Sequence, residues 1–190
     1  MTTTRAAQAA RTREAILATA RRLIAEQGFD ATSLQQIAAA MGVGKAHVYY
    51  YFKTKTEILD ALLTPFADSL EALLDQAASA PEGSGRADIL ITGFVDRVLA
   101  AYRSFGSLGL GDPALRRDLP IARRLDSLAE RGLQLLYGSA PTPEQEAGYW
   151  LMQDLGPVLR RLRDVPEDEV RRILITLCRR IVGWREPTTA

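Results

Sequence analysis

Residues 42–55, GVGKAHVYYYFKTK, place three consecutive tyrosines and the only histidine of the chain between lysines, directly after a glycine. Lysine ammonium groups, tyrosine hydroxyls and the amides of a helix N-terminus hold DNA phosphates, and the first residues of a recognition helix contact base edges. In a helix over about 45–52, Val48 and Phe52 share one face and are predicted to anchor it. The side chains displayed elsewhere are Lys45, His47, Tyr49 and Tyr50. The pattern favours a surface for duplex DNA.

The elements that precede this stretch predict a helix-turn-helix. A first apolar-periodic helix ends at Gly28, a residue type that commonly terminates helices in the left-handed conformation. A second, short helix begins at Ser33, whose hydroxyl is expected to accept from the backbone N–H of Gln36 while the Gln36 side chain reaches back. It ends at Gly42, and a third helix begins near Lys45. Two short helices joined by a tight glycine turn form the DNA-binding arrangement.

The charge distribution agrees with this location. The chain of 190 residues has a formal net charge of only +1. Residues 1–55 hold eight Lys or Arg against three acids, a net of +5, which leaves −4 for residues 56–190. A basic first quarter is the electrostatic signature expected of a polyanion-binding segment on a mildly acidic remainder.

The remainder of the chain also shows helical spacing, so the predicted class is all-α. A fourth helix is predicted to open with the capping box Thr54–Glu57 and to contain Pro65, which should kink or interrupt it. Further helices are predicted at about 87–105, 114–119, 120–137, 143–163 and 166–182, with a loop at 106–113 and a bend at Pro157. The predicted domains are a helix-turn-helix domain over 1–54 and a helical domain over 55–190.

The cysteine and histidine content and the apolar pattern argue against other classes of function. A single cysteine, Cys178, excludes an internal disulfide and favours a cytoplasmic location, and no apolar run is long enough to predict a membrane span. With one histidine and one cysteine far apart, the sequence predicts no metal site, no Cys/His dyad and no cofactor, so an enzyme is not expected. A helical module that binds protein partners through the tyrosines remains an alternative, as does simple burial of those aromatics.

Residues 28–59, GFDATSLQQIAAAMGVGKAHVYYYFKTKTEIL, closely resemble the DNA-binding signature of the TetR family of bacterial transcriptional regulators. The matching positions are Gly28, Phe29, Thr32, Ile37, Ala38, Gly42, Val43, Lys45, Tyr49, Phe52 and Lys55. The resemblance implies a dimeric, DNA-binding repressor that a small-molecule effector releases from a palindromic operator.

Carried over to this chain, the resemblance implies two sets of DNA contacts. Phosphate contacts are expected from Ser33, Tyr49, Tyr50 and Lys55. Base or groove contacts are expected from Lys45, Ala46 and His47. Gly44 stands where the family usually has a serine that caps the recognition helix, so it permits a cap but supplies no hydroxyl.

The resemblance also assigns roles to the last two thirds of the chain. The two final helices, near 143–163 and 166–183, would pair with those of a second subunit in a four-helix bundle. A helix-turn-helix reads few base pairs, which independently favours a two-fold symmetric dimer. The middle helices would enclose a largely apolar or aromatic effector. The candidate pocket residues are Phe66, Phe94, Tyr102, Phe105, Trp150 and Gln153.

Overall fold

The structure, a computed structural model, describes residues 4–105 and 120–183, apart from the side chain of Phe105. Within these ranges all regular secondary structure is helical, which confirms the predicted all-α class. The helices are α1 (Arg5–Gln27), α2 (Leu34–Ala40), α3 (Lys45–Tyr51), α4 (Lys55–Ala78), α5 (Ser84–Phe105), α6 (Pro120–Tyr137), α7 (Pro143–Met152), α8 (Gly156–Arg161) and α9 (Glu167–Ile181). The predicted loop at 106–113 and helix at 114–119 lie outside the described residues.

The first three helices and the beginning of α4, which we call the head, enclose one hydrophobic core, the head core. Its buried side chains recur at helical spacing on each element, as the sequence predicted for α1 and α2. They are Ile16, Leu17, Ala20, Ile24, Leu34, Ile37, Ala38, Val48, Phe52, Ile58 and Leu62. Because the last two belong to α4, that helix is packed into the head from its first turn onward.

The predicted caps form with one variation each. The Ser33 hydroxyl accepts from the Gln36 backbone N–H at 3.2 Å, but the Gln36 side-chain oxygen bonds that hydroxyl at 2.9 Å instead of the backbone. The Thr54 hydroxyl accepts from the Glu57 N–H at 3.1 Å, while the Glu57 carboxylate accepts from the Lys53 N–H at 2.7 Å. The bonds from the Gln36 and Glu57 N–H groups to these hydroxyls each satisfy an amide that the helix itself leaves without a partner.

Helix α4 runs without interruption through Pro65. Because proline has no N–H, the carbonyl of Ala61 lacks the donor that residue 65 would otherwise supply. Ile58 and Leu62 lie in the head core, whereas Leu63 and Ala67 lie in a second core that α4 forms with α5 and α6. One continuous helix therefore joins the head to the rest of the molecule.

Beyond α4, the helices share two adjoining cores, which we call together the body. The first lies between α4, α5 and α6, and the second between α5, α6, α7, α8 and α9. Ion pairs connect neighbouring helices at the surface of the body: Arg124 pairs with Asp68 and Glu71, and Arg171 with Asp96.

The predicted helix over 143–163 is wrong, since α7 ends at Met152 and α8 begins only at Gly156. Pro157 occupies the first turn of α8, where its missing N–H leaves no bond unmade. The predicted bend is therefore a break between two helices. The capping box that opens α7 is confirmed, because the Thr142 hydroxyl accepts from the Gln145 N–H and the Gln145 side chain accepts from the Thr142 N–H.

No helix in the described ranges is long and apolar enough to cross a membrane. Among the same residues, no group of histidine, cysteine and carboxylate side chains is arranged to hold a metal ion.

Candidate nucleic-acid interface

The turn between α2 and α3 is closed by backbone hydrogen bonds. Gly42 adopts the left-handed conformation, with φ of 66°, which glycine accepts without steric cost. The Val43 N–H donates to the Ala38 carbonyl at 3.0 Å, so the chain reverses immediately after α2. Gly44 then precedes α3 in an extended conformation and provides no side-chain cap. The two helices thereby form the helix-turn-helix that the glycine spacing predicted.

The two predicted anchors pack helix α3 against the rest of the head. Val48 and Phe52 are both buried in the head core. The opposite side of α3 is open: Lys45, Ala46 and His47 are exposed, Tyr50 is 73% exposed and Tyr49 is half-buried. Buried and exposed side chains lie on different sides of α3 because the anchors are four residues apart, which places both on one face of the helix.

The lysines near α3 are held by aromatic and backbone groups. The Lys45 ammonium lies 5.1 Å from the centre of the Tyr49 ring, within the range of a cation–π interaction. The Lys53 ammonium donates to the Tyr49 carbonyl at 2.7 Å and so satisfies an acceptor at the end of the helix. Both charges therefore stay close to the exposed side of α3.

Lys55 has a different environment from the other lysines. Its ammonium donates to the carbonyls of Phe29 at 2.7 Å and Asp30 at 3.3 Å, and it lies 4.1 Å from the centre of the Phe29 ring. The side chain thus connects the first residue of α4 to the turn between α1 and α2. The family resemblance implies a DNA phosphate contact for Lys55, whereas the structure shows this lysine bonded within the protein.

Thr32, a position of the family signature with no role in the sequence interpretation, completes the same turn. It is 2% exposed, and its hydroxyl donates to the Gly28 carbonyl at 2.8 Å. The Gln27 amide donates to the Thr32 hydroxyl at 3.3 Å and to the Ala31 carbonyl at 3.0 Å. These bonds fix the segment that leads into the exposed Ser33 at the start of α2.

Two more residues contact α3 or its anchors: Tyr51 meets exposed side chains, whereas Arg13 meets the ring of the buried anchor Phe52. The Tyr51 ring makes edge contacts with His47, at 5.7 Å between ring centres, and with Tyr50, at 5.1 Å. The Arg13 guanidinium of α1 lies 5.0 Å from the centre of the Phe52 ring. The four-residue spacing of His47 and Tyr51 was the available sequence signal for the first contact.

The candidate effector residues lie on several elements of the described part of the chain. Phe94 and Tyr102 are half-buried against the body, and Phe66 is half-buried on α4. Trp150 is 45% exposed, with its ring in edge contact with Tyr149. Gln153 follows α7 and lies near enough to the Tyr149 phenol to lower its pKa, though by less than burial raises it. The Phe105 side chain lies outside the described residues.

Tyr149, which the sequence interpretation did not select, is the buried aromatic of α7. Its hydroxyl donates to the Ala129 carbonyl of α6 at 2.6 Å, and burial raises the pKa of the phenol. The phenol lies above Gly132, where an added Cβ would approach its oxygen to 2.4 Å. Glycine at that position is what allows the hydroxyl to reach α6.

The head of this chain matches a known protein family and several known regulators. Residues 16–62 match the family of bacterial regulatory proteins, tetR family. A region of 68 residues is 35% identical to the probable HTH-type transcriptional regulator YttP of Bacillus subtilis and covers 36% of this chain and 33% of that protein. A region of 132 residues is 33% identical to the HTH-type transcriptional regulator BetI of Rhizobium meliloti and covers 65% of each chain. The chain thus spans about a third of YttP and about two thirds of BetI.

The likeness in fold extends through the body. The crystal structure of Mycobacterium smegmatis AmtR superposes with a TM-score of 0.69 at 26% identity, over 92% of this chain and 87% of that one. The TetR family regulator PfmR of Thermus thermophilus superposes with a TM-score of 0.65 at 23% identity, over 98% of this chain and 100% of that one. The signature residues, the helix-turn-helix geometry and these matches lead to one conclusion: residues 16–62 form a DNA-binding domain of the TetR family, and the described chain shares the fold of TetR family regulators.

Proposed function

We propose that the protein is a sequence-specific DNA-binding regulator of transcription that acts as a homodimer in the bacterial cytoplasm, at the nucleoid when bound to DNA. The observation that carries the proposal is the exposed surface of α3, which presents basic and aromatic side chains on an anchor of buried Val48 and Phe52. The match of residues 16–62 to the TetR family is the independent support. We take residues 1–54 as the DNA-binding domain and 55–190 as the domain for effector binding and dimerisation.

The residues proposed to contact DNA fall into two groups, one for phosphates and one for base edges. Ser33, Tyr49 and Tyr50 carry hydroxyls suited to phosphate oxygens, and these contacts fix the register on the duplex. Lys45, Ala46 and His47 form the first turn of α3, the part of a recognition helix that reaches base edges. The His47 N–H of that turn donates to the Gly44 carbonyl at 2.9 Å, but Gly44 offers no side-chain cap, so the Lys45 and Ala46 amides are proposed to be available to a phosphate.

Lys55 is proposed to act differently from the role that the resemblance implies. Its ammonium is engaged by the carbonyls of Phe29 and Asp30. We infer that it contributes to DNA binding by holding the turn that presents Ser33, while the phosphate charge is met mainly by the exposed lysines.

The proposed dimer interface lies on α7 and α9. The large apolar side chains most exposed on these helices are Trp150, Leu151, Leu177 and Ile181. Both helices pack closely, since an added Cβ at Gly148 would lie 2.8 Å from the Ile181 carbonyl oxygen. Exposed apolar side chains grouped on two adjacent helices are typical of a protein interface. Two copies of this surface would form the four-helix bundle.

The proposed effector is small and largely apolar or aromatic, because the half-buried side chains of the body include the aromatic rings of Phe66, Phe94 and Tyr102. An effector that binds better to the arrangement incompatible with DNA would lower the population that binds the operator. Helix α4 belongs to both head and body and is the proposed route of this coupling. Repression is the default direction, and the relative BepR of Brucella suis is an HTH-type transcriptional repressor.

The decisive experiment is selection of bound sequences from a random duplex pool by the purified full-length protein at moderate salt. We expect enrichment of an inverted repeat, with affinity that falls steeply as salt rises because phosphate contacts release counterions. Absence of an enriched motif together with salt-insensitive retention would overturn the proposal and favour a module that binds protein partners. The His47→Ala variant is the internal comparison, since it should alter the motif without abolishing binding.

A further inference from the structure

Tyr51 is in contact with two side chains of the proposed DNA surface. Its ring meets His47 at an interplanar angle of 61° and Tyr50 at 82°, with ring centres 5.7 and 5.1 Å apart. We propose that Tyr51 is a positioning residue for DNA reading, which fixes the His47 imidazole and the Tyr50 ring before DNA arrives. This inference rests on the proposed function and adds to it a residue that need not touch DNA.

The position of Tyr51 suits this role. It is the last residue of α3, half-buried, and it packs against the head core, whereas His47 and Tyr50 are exposed. The ring is therefore held by the protein on one side and holds the two exposed rings on the other. Edge-to-face contact is the arrangement that aromatic rings prefer, because the positive edge of one ring meets the negative face of the other.

Fixing an exposed ring matters because binding must otherwise restrict it. A free side chain loses rotamer freedom when it docks, and that loss opposes association. Because Tyr51 already restricts the His47 imidazole in the free protein, part of this loss of rotamer freedom occurs during folding and no longer opposes DNA binding. Loss of the Tyr51 ring is expected to weaken specific binding by about 3- to 10-fold, the range of an aromatic pair. The loss should be concentrated at the base pairs that His47 contacts.

The contact itself is testable without DNA. His47 is the only histidine of the chain, so its imidazole protons give one set of NMR signals. In the wild-type protein we expect nuclear Overhauser effects between these protons and the Tyr51 ring, and a ring-current shift that Tyr51→Phe keeps and Tyr51→Leu removes. Absence of the effects in wild type would overturn the inference even if Tyr51→Leu did not fold.

The consequence for reading is tested by repeating the random-duplex selection with variants. We expect Tyr51→Leu to lose information at the same base positions as His47→Ala, the double variant to lose no more, and Tyr51→Phe to recover the wild-type motif. Tyr137→Leu, at a half-buried tyrosine of α6, is the control and should leave the motif unchanged.

The outcomes separate the two proposals. A wild-type motif that Tyr51→Leu retains, or that it loses equally at all positions, would overturn the positioning role and leave the proposed function intact. Failure of the wild-type protein to enrich a motif would overturn both, whatever the NMR contact shows.

Discussion

The ammonium of Lys55 donates to the carbonyl of Phe29 at 2.7 Å, and the two residues are 26 positions apart in the chain. The bond joins the N-terminus of α4 to the turn before α2. A lysine at a helix N-terminus is unfavourable for the helix dipole, and the two carbonyls together with the Phe29 ring offset this cost. The Lys55 side chain therefore stabilises both the head and the first turn of α4.

Replacement of Lys55 by methionine should therefore destabilise the head. The change keeps the apolar stem but removes a charged donor to two carbonyls, so we expect the free energy of unfolding to fall by about 1 to 2 kcal/mol. Urea unfolding measures it. Lys53→Met is the matched control, because that ammonium bonds a single exposed carbonyl and should cost less. Equal losses for the two variants would contradict the role assigned to Lys55.

Gly148→Ala should loosen the packing of α7 on α9. The new Cβ would meet the Ile181 backbone oxygen at 2.8 Å, so the backbone must move, at a cost of about 1 to 3 kcal/mol of stability. Gly85→Ala in α5 is the control, since its Cβ would meet no atom within 4 Å and should be neutral or slightly stabilising. Thermal unfolding of both variants would show whether close approach is the reason for the glycine.

Leu151→Glu should dissociate the proposed dimer while leaving the protomer folded. Leu151 is 72% exposed, so a carboxylate there costs the protomer little, but it would be desolvated in the interface. Sedimentation velocity would show the change from dimer to monomer, and circular dichroism would verify the helix content. Ala72→Glu, on the exposed side of α4, should leave the mass unchanged. A wild-type protein that sediments as a monomer would refute the interface.

Pro65→Ala should strengthen α4 and alter its coupling function. An alanine N–H restores the donor to the Ala61 carbonyl, so we expect the free energy of unfolding to rise by about 1 kcal/mol or more. Affinity for the selected operator should change as well, because α4 positions the head relative to the body. Urea unfolding and operator titration measure the two effects. A more stable variant with unchanged affinity would argue against Pro65 as a bending point.

The buried thiol of Cys178 should make stability fall at alkaline pH. Burial raises its pKa from 9.0 to about 11, so the folded protein keeps the proton that the unfolded chain releases. The stabilisation is complete below pH 9 and is lost as the pH rises towards about 11, with a slope of about 1.4 kcal/mol per pH unit. Urea unfolding between pH 8 and 11 measures it. The free energy of unfolding of Cys178→Ala should depend less on pH over that interval. An identical pH dependence in the variant and the wild type would exclude the thiol as the cause.

The sequence by itself determined the parts that depend on local chemistry. The caps at Ser33, Thr54 and Thr142 and the turn at Gly42 follow from hydrogen bonds and dihedral angles within a few residues. The anchors Val48 and Phe52 follow from helical periodicity, which is likewise local. For these reasons the helix-turn-helix and its exposed surface were predictable.

Only the tertiary structure decided which groups from distant segments meet. Periodicity could not show that Tyr149 is buried while Trp150 and Leu151 are exposed, because the buried face of α7 is set by α6 and α9. Nor could it show how each proline affects its helix: α4 continues through Pro65, whereas α7 ends at Met152 and Pro157 lies in the first turn of α8. The partner of Lys55 depended on folding for the same reason, since a long side chain near two surfaces bonds to whichever carbonyls the packing brings within reach.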